Sequence, residues 1–261
     1  MTSRYSTIEL ERRGKVLTLW LARPDVRNAF DDVLLKELAQ ACAEVDADPG
    51  VRVMVLSGRG QAFCAGADLS WMRKVVDYTF MENLRDSGAI ASAFSALSRM
   101  KKPTVAAING ATIGGGMGFL GACDIVIASS AAVFSLSEVR LGLVPACIAP
   151  FLLRRAPAGA LRRWMLSGER FDAATAQGIG LVDQVAKPEE LLPEAQRMAE
   201  RLMEAAPGAQ AVVKTLLERV PELGLDAALE HTVGVIAKLR ASPEAQKGMR
   251  SFLEKKPCAW D

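Results

Sequence analysis

Two glycine-bearing segments hold the residues best suited to chemistry, Phe63-Cys64-Ala65-Gly66-Ala67-Asp68 and Gly114-Gly115-Gly116-Met117-Gly118. Each follows a β-rich run and leads towards a helical pattern, the place where backbone N–H groups are left without intrachain acceptors. Two such N–H groups converging from separate turns could hold a developing oxyanion. The same glycines would equally serve tight turns and close helix–sheet packing. Phosphate binding is the weaker alternative, because neither segment spells G-x-G-x-x-G or G-x-x-x-x-G-K-[ST]. His231 is the only imidazole, so a multi-histidine metal centre is out of reach and a Ser-His-Asp site would have to rest on this one residue. Proton transfer is therefore expected from carboxylates, and charge stabilisation from backbone groups.

The elements that must position these segments read as alternating strands and helices. Residues 16–21 form a β-rich run ending at Arg23-Pro24, and apolar residues from Val33 to Val45 recur at helical spacing up to Asp48-Pro49-Gly50. Residues 51–56 make a second strand, followed by a small-residue loop over 60–70. A long helical pattern over 81–100 precedes strands at 104–108 and 124–128. Repeated β-then-α units with nearly unbroken apolar strands imply an α/β fold with a mainly parallel, buried sheet system. Beyond about residue 188 the strand signals stop and helical patterns follow at 191–206, 209–220 and 225–241. A last helix opens at Ser242-Pro243-Glu244, an N-cap followed by proline. The expected division is an α/β core over 1–190 and a helical region over 191–261, the latter a lid or an oligomerisation arm.

Composition narrows the setting. Of 261 residues, 50% are hydrophobic, and 32 basic against 30 acidic side chains give a net charge of +2. That amount of apolar sequence supplies a large core. The charges are interspersed, without the basic stripe that nucleic-acid binders use, so no nucleic-acid partner is expected. Five cysteines, odd in number and free of any C-x-x-C pair, fit reduced thiols. The polar first thirteen residues lack the apolar core of a signal peptide, and no membrane span is expected. A cytoplasmic location follows as the expectation.

Longer motifs in order along the chain resemble the crotonase (enoyl-CoA hydratase/isomerase) superfamily. They are Arg23-Pro24-Asp25-Val26-Arg27-Asn28-Ala29-Phe30, the two glycine segments, Asn109-Gly110, Cys123-Asp124-Ile125, and Glu138 with Leu141-Gly142-Leu143-Val144-Pro145. The runs at 166–171 and 176–182 match as well. The resemblance implies a spiral of ββα units, a helical C-terminal region that builds a homotrimer or a dimer of trimers and covers the active site, and acyl-CoA thioesters as substrates. No separate cofactor is implied, since coenzyme A is part of the substrate. By resemblance the oxyanion hole is formed by the N–H groups of Ala67 and Gly115. One such donor is worth roughly 3–4 kcal/mol of barrier in other enzymes. A β-branched residue at 115 is then expected to abolish turnover with the fold near intact. The coenzyme A contacts implied are Val26, Arg27, Ala65 and Asp68, with Phe252 and Lys255 from the C-terminal region.

The acid–base residues depart from the family pattern. Glu138 stands where the family carries its second glutamate, whereas the first is replaced by Gly118. One carboxylate can remove a proton from water and deliver it to the α-carbon, so Glu138 is expected to serve both roles. The same loss raises Δ3,Δ2-enoyl-CoA isomerisation as an alternative. The runs 137–151 and 67–72, with glycine at 118, look like bacterial hydratases of branched glutaconyl-CoA esters, among them the 3-methylglutaconyl-CoA hydratases of leucine breakdown and the isohexenylglutaconyl-CoA hydratases. Such substrates bear a second carboxylate, and Arg73, Lys74 and Arg140 are the candidate cations for it. Trp71 and Met72 fall where acyl-pocket residues vary. His231 is expected at a trimer contact or in solvent. A third reading, a non-catalytic homologue, is disfavoured by the retained Glu138 and by both oxyanion-hole segments.

Overall fold

The computed structural model describes residues 4–260. Strands β1 (Ile8–Arg13) and β2 (Val16–Leu21) form an antiparallel hairpin around Gly14, whose φ of +60° suits glycine. Helix α1 (Asp32–Ala47) follows, capped by the Asp31 carboxylate on the Leu34 N–H, and buries its Leu34, Leu38, Ala41 and Val45 stripe. Strands β3 (Val53–Gly58) and β4 (Ala62–Cys64) lead to α2 (Leu69–Val75) and α3 (Phe80–Ser98). Strands β5 (Thr104–Ile108) and β6 (Ala111–Ile113) lead through a 3-10 turn, Gly114–Met117, into α4 (Gly118–Ala122). Strands β7 (Ile125–Ser129) and β8 (Val133–Ser135) lead through a 3-10 turn, Ser137–Leu141, to α5 (Ala149–Arg155) and α6 (Ala158–Ser167). Then come β9 (Arg170–Asp172), α7 (Ala173–Gly178), β10 (Gln184–Ala186) and α8 (Leu191–Met203).

Consecutive strands go to different sheets. The larger sheet has the order β1-β2-β3-β5-β7-β10 and the smaller β4-β6-β8-β9, so β3/β4, β5/β6 and β7/β8 each give one strand to both and are each followed by helix. Apart from β1–β2 and β8–β9, all pairings are parallel. Every residue of β3 and β5 is buried, as expected of parallel strands covered on both faces. The α/β class expected from the sequence is the observed one. Beyond the strands expected from the sequence stand β1, the short β10 and the four short strands of the second sheet, and β4 and the start of α2 occupy the expected loop over 60–70. Strands of three residues are too short to display a period of two.

The chain divides into two compact units, the first comprising residues 1–100 and 104–199 and the second 101–103 and 200–261. The first unit keeps most of α8, which buries Leu191, Ala195 and Ala199, whereas the sequence placed the division at 190/191. Its core holds a chain of aromatic rings in edge contact, with Phe63–Phe119 centroids at 5.7 Å, Phe119–Phe94 at 5.1 Å and Phe94–Phe30 at 6.2 Å. The second unit contains α9 (Pro207–Arg219), α10 (Leu225–Arg240) and α11 (Pro243–Leu253), the last capped by the Ser242 hydroxyl on the Ala245 N–H. Among the described residues no helix is long and apolar enough to cross a membrane, and no group of three His, Cys, Asp or Glu could hold a metal ion.

Candidate active site

The first glycine segment is held in place by the loop after β2. Arg27 and Asn28 both adopt left-handed backbone, and the buried Asn28 amide accepts from the Arg23 N–H at 2.9 Å and donates to the carbonyls of Arg59 and Ala62, each at 2.8 Å. On this frame the Ala65 N–H donates to the Arg27 carbonyl at 3.0 Å, the Phe30 N–H to the Gly66 carbonyl at 2.8 Å, and the Asp68 N–H to the Phe30 carbonyl at 2.9 Å. The Ala67 N–H, between these anchored neighbours, has no acceptor among the described residues.

Asp68 is committed within the protein. Its carboxylate caps α2 through the Ser70 and Trp71 N–H groups and pairs with Arg23 at 2.9 Å, and Arg23 in turn reaches Asp31 at 3.1 Å. Its carbonyl accepts from the Met72 N–H. The hydrogen bonds from Ser70 and the charge of Arg23 hold the carboxyl below its ordinary range. The side chain of Asp68 thus braces α2 and the oxyanion segment.

The second glycine segment approaches the first through its missing side chains. A Cβ on Gly66, which sits at φ +92°, would lie 2.8 Å from the Ile113 carbonyl oxygen and 3.8 Å from the Gly115 nitrogen. A Cβ on Gly116 would lie 2.7 Å from the Cys64 carbonyl oxygen. Gly115 lies in the first turn of the 3-10 segment, and its N–H has no acceptor among the described residues. The two free N–H groups therefore come from turns packed directly on one another, so the glycines serve packing and chemistry together. One expectation needs revision. A Cβ on Gly115 would meet the Phe30 ring at 2.6 Å, so a β-branched residue there disturbs the core as well as the N–H position.

Glu138 stands over the same place. Its Oε1 lies 3.4 Å from where a Cβ on Gly114 would be, and its Oε2 is buried without a hydrogen-bond partner. Burial pushes its carboxyl above the ordinary carboxylate value, with one backbone hydrogen bond opposing the shift. A buried, unpaired carboxylate oxygen is costly to retain and suits proton transfer at a substrate. Arg140 is not its partner: the guanidinium Nε donates to the Ser167 carbonyl at 3.3 Å. Gly118, where the family pattern would have a glutamate, has no room for a side chain. A Cβ there would lie 2.6 Å from Ile148 Cγ2 and 2.7 Å from Phe94 Cζ.

Ala67 and Glu138 open on a cavity of about 820 Å³. Trp71, Met72 and Val75 of α2 with its C-cap Val76 line one wall, Asn83, Asp86, Ser87 and Ile90 of α3 another, and residues 141–144, 146 and 147 a third. The sequence expected Trp71 and Met72 here. It missed the α3 stripe, whose spacing of three, four and seven residues from Asn83 places one face of the helix on the cavity. Arg73, Lys74 and Arg140 do not line it, and this corrects their assignment as cations facing the acyl group. Both Arg73 and Lys74 are exposed in the last turn of α2.

The remaining expected residues lie outside the cavity lining. Val26 is exposed on the left-handed loop beside Arg27. In the second unit Phe252 is 83% exposed near the end of α11, and Lys255 follows in left-handed backbone. His231 shares a groove of that unit with Val212, Leu216 and Val235.

The enoyl-CoA hydratase/isomerase family model matches residues 11–261. A putative enoyl-CoA hydratase of Thermus thermophilus is 36% identical over 94% of this chain and 97% of its own. A crotonyl-CoA hydratase of Syntrophomonas wolfei is 32% identical over 97% of this chain and 96% of its own. The crystal structure of an enoyl-CoA hydratase from Shewanella pealeana superposes with a TM-score of 0.94 at 36% identity, covering 98% of this chain and 97% of that one. Two free N–H groups on packed glycine turns, a buried glutamate beside them and these matches agree: the chain belongs to the enoyl-CoA hydratase/isomerase family of the crotonase superfamily.

Proposed function

We propose that this protein is an enoyl-CoA hydratase that works with a single acid–base carboxylate. The observation that carries this reading is the buried, unpartnered Oε2 of Glu138 on a cavity that also receives Ala67. Glu138 takes a proton from water as the oxygen bonds to Cβ of the 2,3 double bond, and the π electrons move onto the thioester oxygen. The N–H groups of Ala67 and Gly115 stabilise that enolate oxygen without reorganising. Glu138 then returns the proton to Cα, which regenerates the thioester carbonyl and the carboxylate. No atom is left over, and a second carboxylate at position 118 is not required. Relatives named crotonyl-CoA hydratase and short-chain-enoyl-CoA hydratase support the reaction type.

The presence of one carboxylate beside the N–H groups also favours a second reading, Δ3,Δ2-enoyl-CoA isomerisation, in which Glu138 moves a proton between Cα and Cγ. Branched glutaconyl-CoA substrates fit less well, because the cavity lining contains the carboxylates of Glu138 and Asp86 and no lysine or arginine. An uncharged acyl group is the better match. Coenzyme A contacts from Val26, Arg27, Ala65, the backbone at Asp68, Phe252 and Lys255, and assembly as a homotrimer or dimer of trimers, belong to the same proposal. Purified protein assayed by absorbance on crotonyl-, 3-methylglutaconyl- and 3-enoyl-CoA, with product identification, tests it. Water addition to crotonyl-CoA is the expected result. Bond migration alone would favour the isomerase, and inactivity on all three would refute both.

A further inference from the structure

Among the described residues Asp86 is the one ionisable group of the cavity lining, besides Glu138 and the Cys147 thiol, and the proposed reaction does not use it. It projects from the cavity-facing stripe of α3, and the indole N–H of Trp71, on a neighbouring wall, lies near enough to favour its charged form. Trp71 is itself fixed, buried edge-on to Phe30 with ring centroids 5.9 Å apart. Phe30 is the ring that closes on Gly115. Trp71, beside the carboxylate, is therefore packed through Phe30 onto the wall that carries the oxyanion hole.

Asp86 stands on α3, whereas Ala67 and Glu138 reach the cavity from the turns after β4 and β8. Burial raises the Asp86 carboxyl, and the charge of Asp32 adds to the shift. The carboxylate thus belongs to the α3 wall of the cavity, not to the turns that carry the proposed proton transfer. Polar groups gather there: Asn83 and Ser87 line the same stripe, and the Cys147 thiol reaches the Ser87 carbonyl at 3.6 Å.

We propose that Asp86 is a specificity-determining residue, selecting uncharged acyl groups that carry a hydrogen-bond donor such as a hydroxyl and discriminating against acyl groups that end in a carboxylate. The argument is one of desolvation. A plain hydrocarbon chain filling the cavity strips water from the half-buried Asp86 and leaves the nearby Trp71 N–H as the nearest group able to replace it, a costly state for a desolvated charge. A donor on the substrate replaces the lost water. A second anion gains no cation from this lining and adds like-charge repulsion in a dry site.

This inference rests on the acyl-CoA reading, so the test measures binding, which does not depend on turnover. Hexanoyl-, ω-hydroxyhexanoyl- and adipoyl-CoA are titrated calorimetrically into wild type, Asp86→Asn and Asp86→Leu, with coenzyme A alone as reference. The expected wild-type order is ω-hydroxyhexanoyl tightest, hexanoyl next and adipoyl weakest, with steps of roughly tenfold. Asp86→Leu reverses the first pair, and Asp86→Asn, of nearly the same shape, relieves the penalty on adipoyl. Tighter binding of adipoyl than hexanoyl by wild type, equal affinities for the three, or constants that move together in both variants would overturn the assignment. Failure of coenzyme A and all three thioesters to bind would overturn the acyl-CoA reading as well.

Discussion

Putting the family's first glutamate back at position 118 should damage this protein rather than improve it. A Cβ on Gly118 would stand 2.6 Å from Ile148 Cγ2 and 2.7 Å from Phe94 Cζ, where ordinary contacts lie at 3.4–4 Å. Both neighbours are fully buried or nearly so, and Phe94 is locked among Phe30, Phe119 and Phe151. The rings have no free direction in which to retreat. Gly118→Ala, which adds only that one carbon, is an overpacking substitution expected to cost about 1–3 kcal/mol, or roughly 2–10 °C in Tm for a chain of this size. Gly118→Glu must also bury a carboxylate among aromatic rings and should lose more than the alanine variant, with hydratase activity below wild type. Thermal melts followed by circular dichroism, paired with the crotonyl-CoA assay, give both quantities. A Gly118→Glu protein as stable as wild type and more active would refute the claim that packing closes this position.

Other consequences follow from the same geometry. Asn28→Ala should destabilise the protein by about 1–3 kcal/mol by denaturant titration, because it strands the Arg59 and Ala62 carbonyls and removes a residue that tolerates left-handed backbone. Gly115→Val should lower both Tm and turnover, since its side chain meets Phe30; turnover lost at an unchanged Tm would contradict that contact. The acid limb of kcat/KM should lie above the ordinary glutamate value of 4.5, because burial raises Glu138 and protonation removes the base. The sign for stability is the reverse. A carboxyl raised in the folded state binds its proton more tightly than in the unfolded state, so its burial penalty is present at neutral pH and relieved as pH falls through the raised value. Glu138→Gln should therefore be more stable than wild type at neutral pH, and the difference should shrink on acidification.

The parallel core was legible in the sequence for a physical reason. Strands such as β3 and β5 are buried on both faces, so they read as unbroken apolar runs between turn residues. The second sheet was not legible, because β4, β6, β8 and β9 are three residues long and owe their existence to neighbours far along the chain. The packing of the two glycine turns could be proposed from sequence, but the role of Phe30 as the ring pressed on Gly115 could not. Asp86 was hidden for a similar reason. A polar residue on a long helix reads as solvated surface until the opposing wall, here Trp71 and Cys147, is in place. The bracing role of Asp68 was equally hidden, because its partners Arg23 and Phe30 lie far earlier in the chain.

The central claim is that one carboxylate, Glu138, carries both proton transfers. Its most direct test is the turnover of Glu138→Gln on crotonyl-CoA, measured beside the affinity of the same variant for a saturated acyl-CoA. The account predicts that kcat falls by roughly 10²–10⁴-fold while the affinity is unchanged within a few-fold. Turnover of Glu138→Gln within a few-fold of wild type would contradict it.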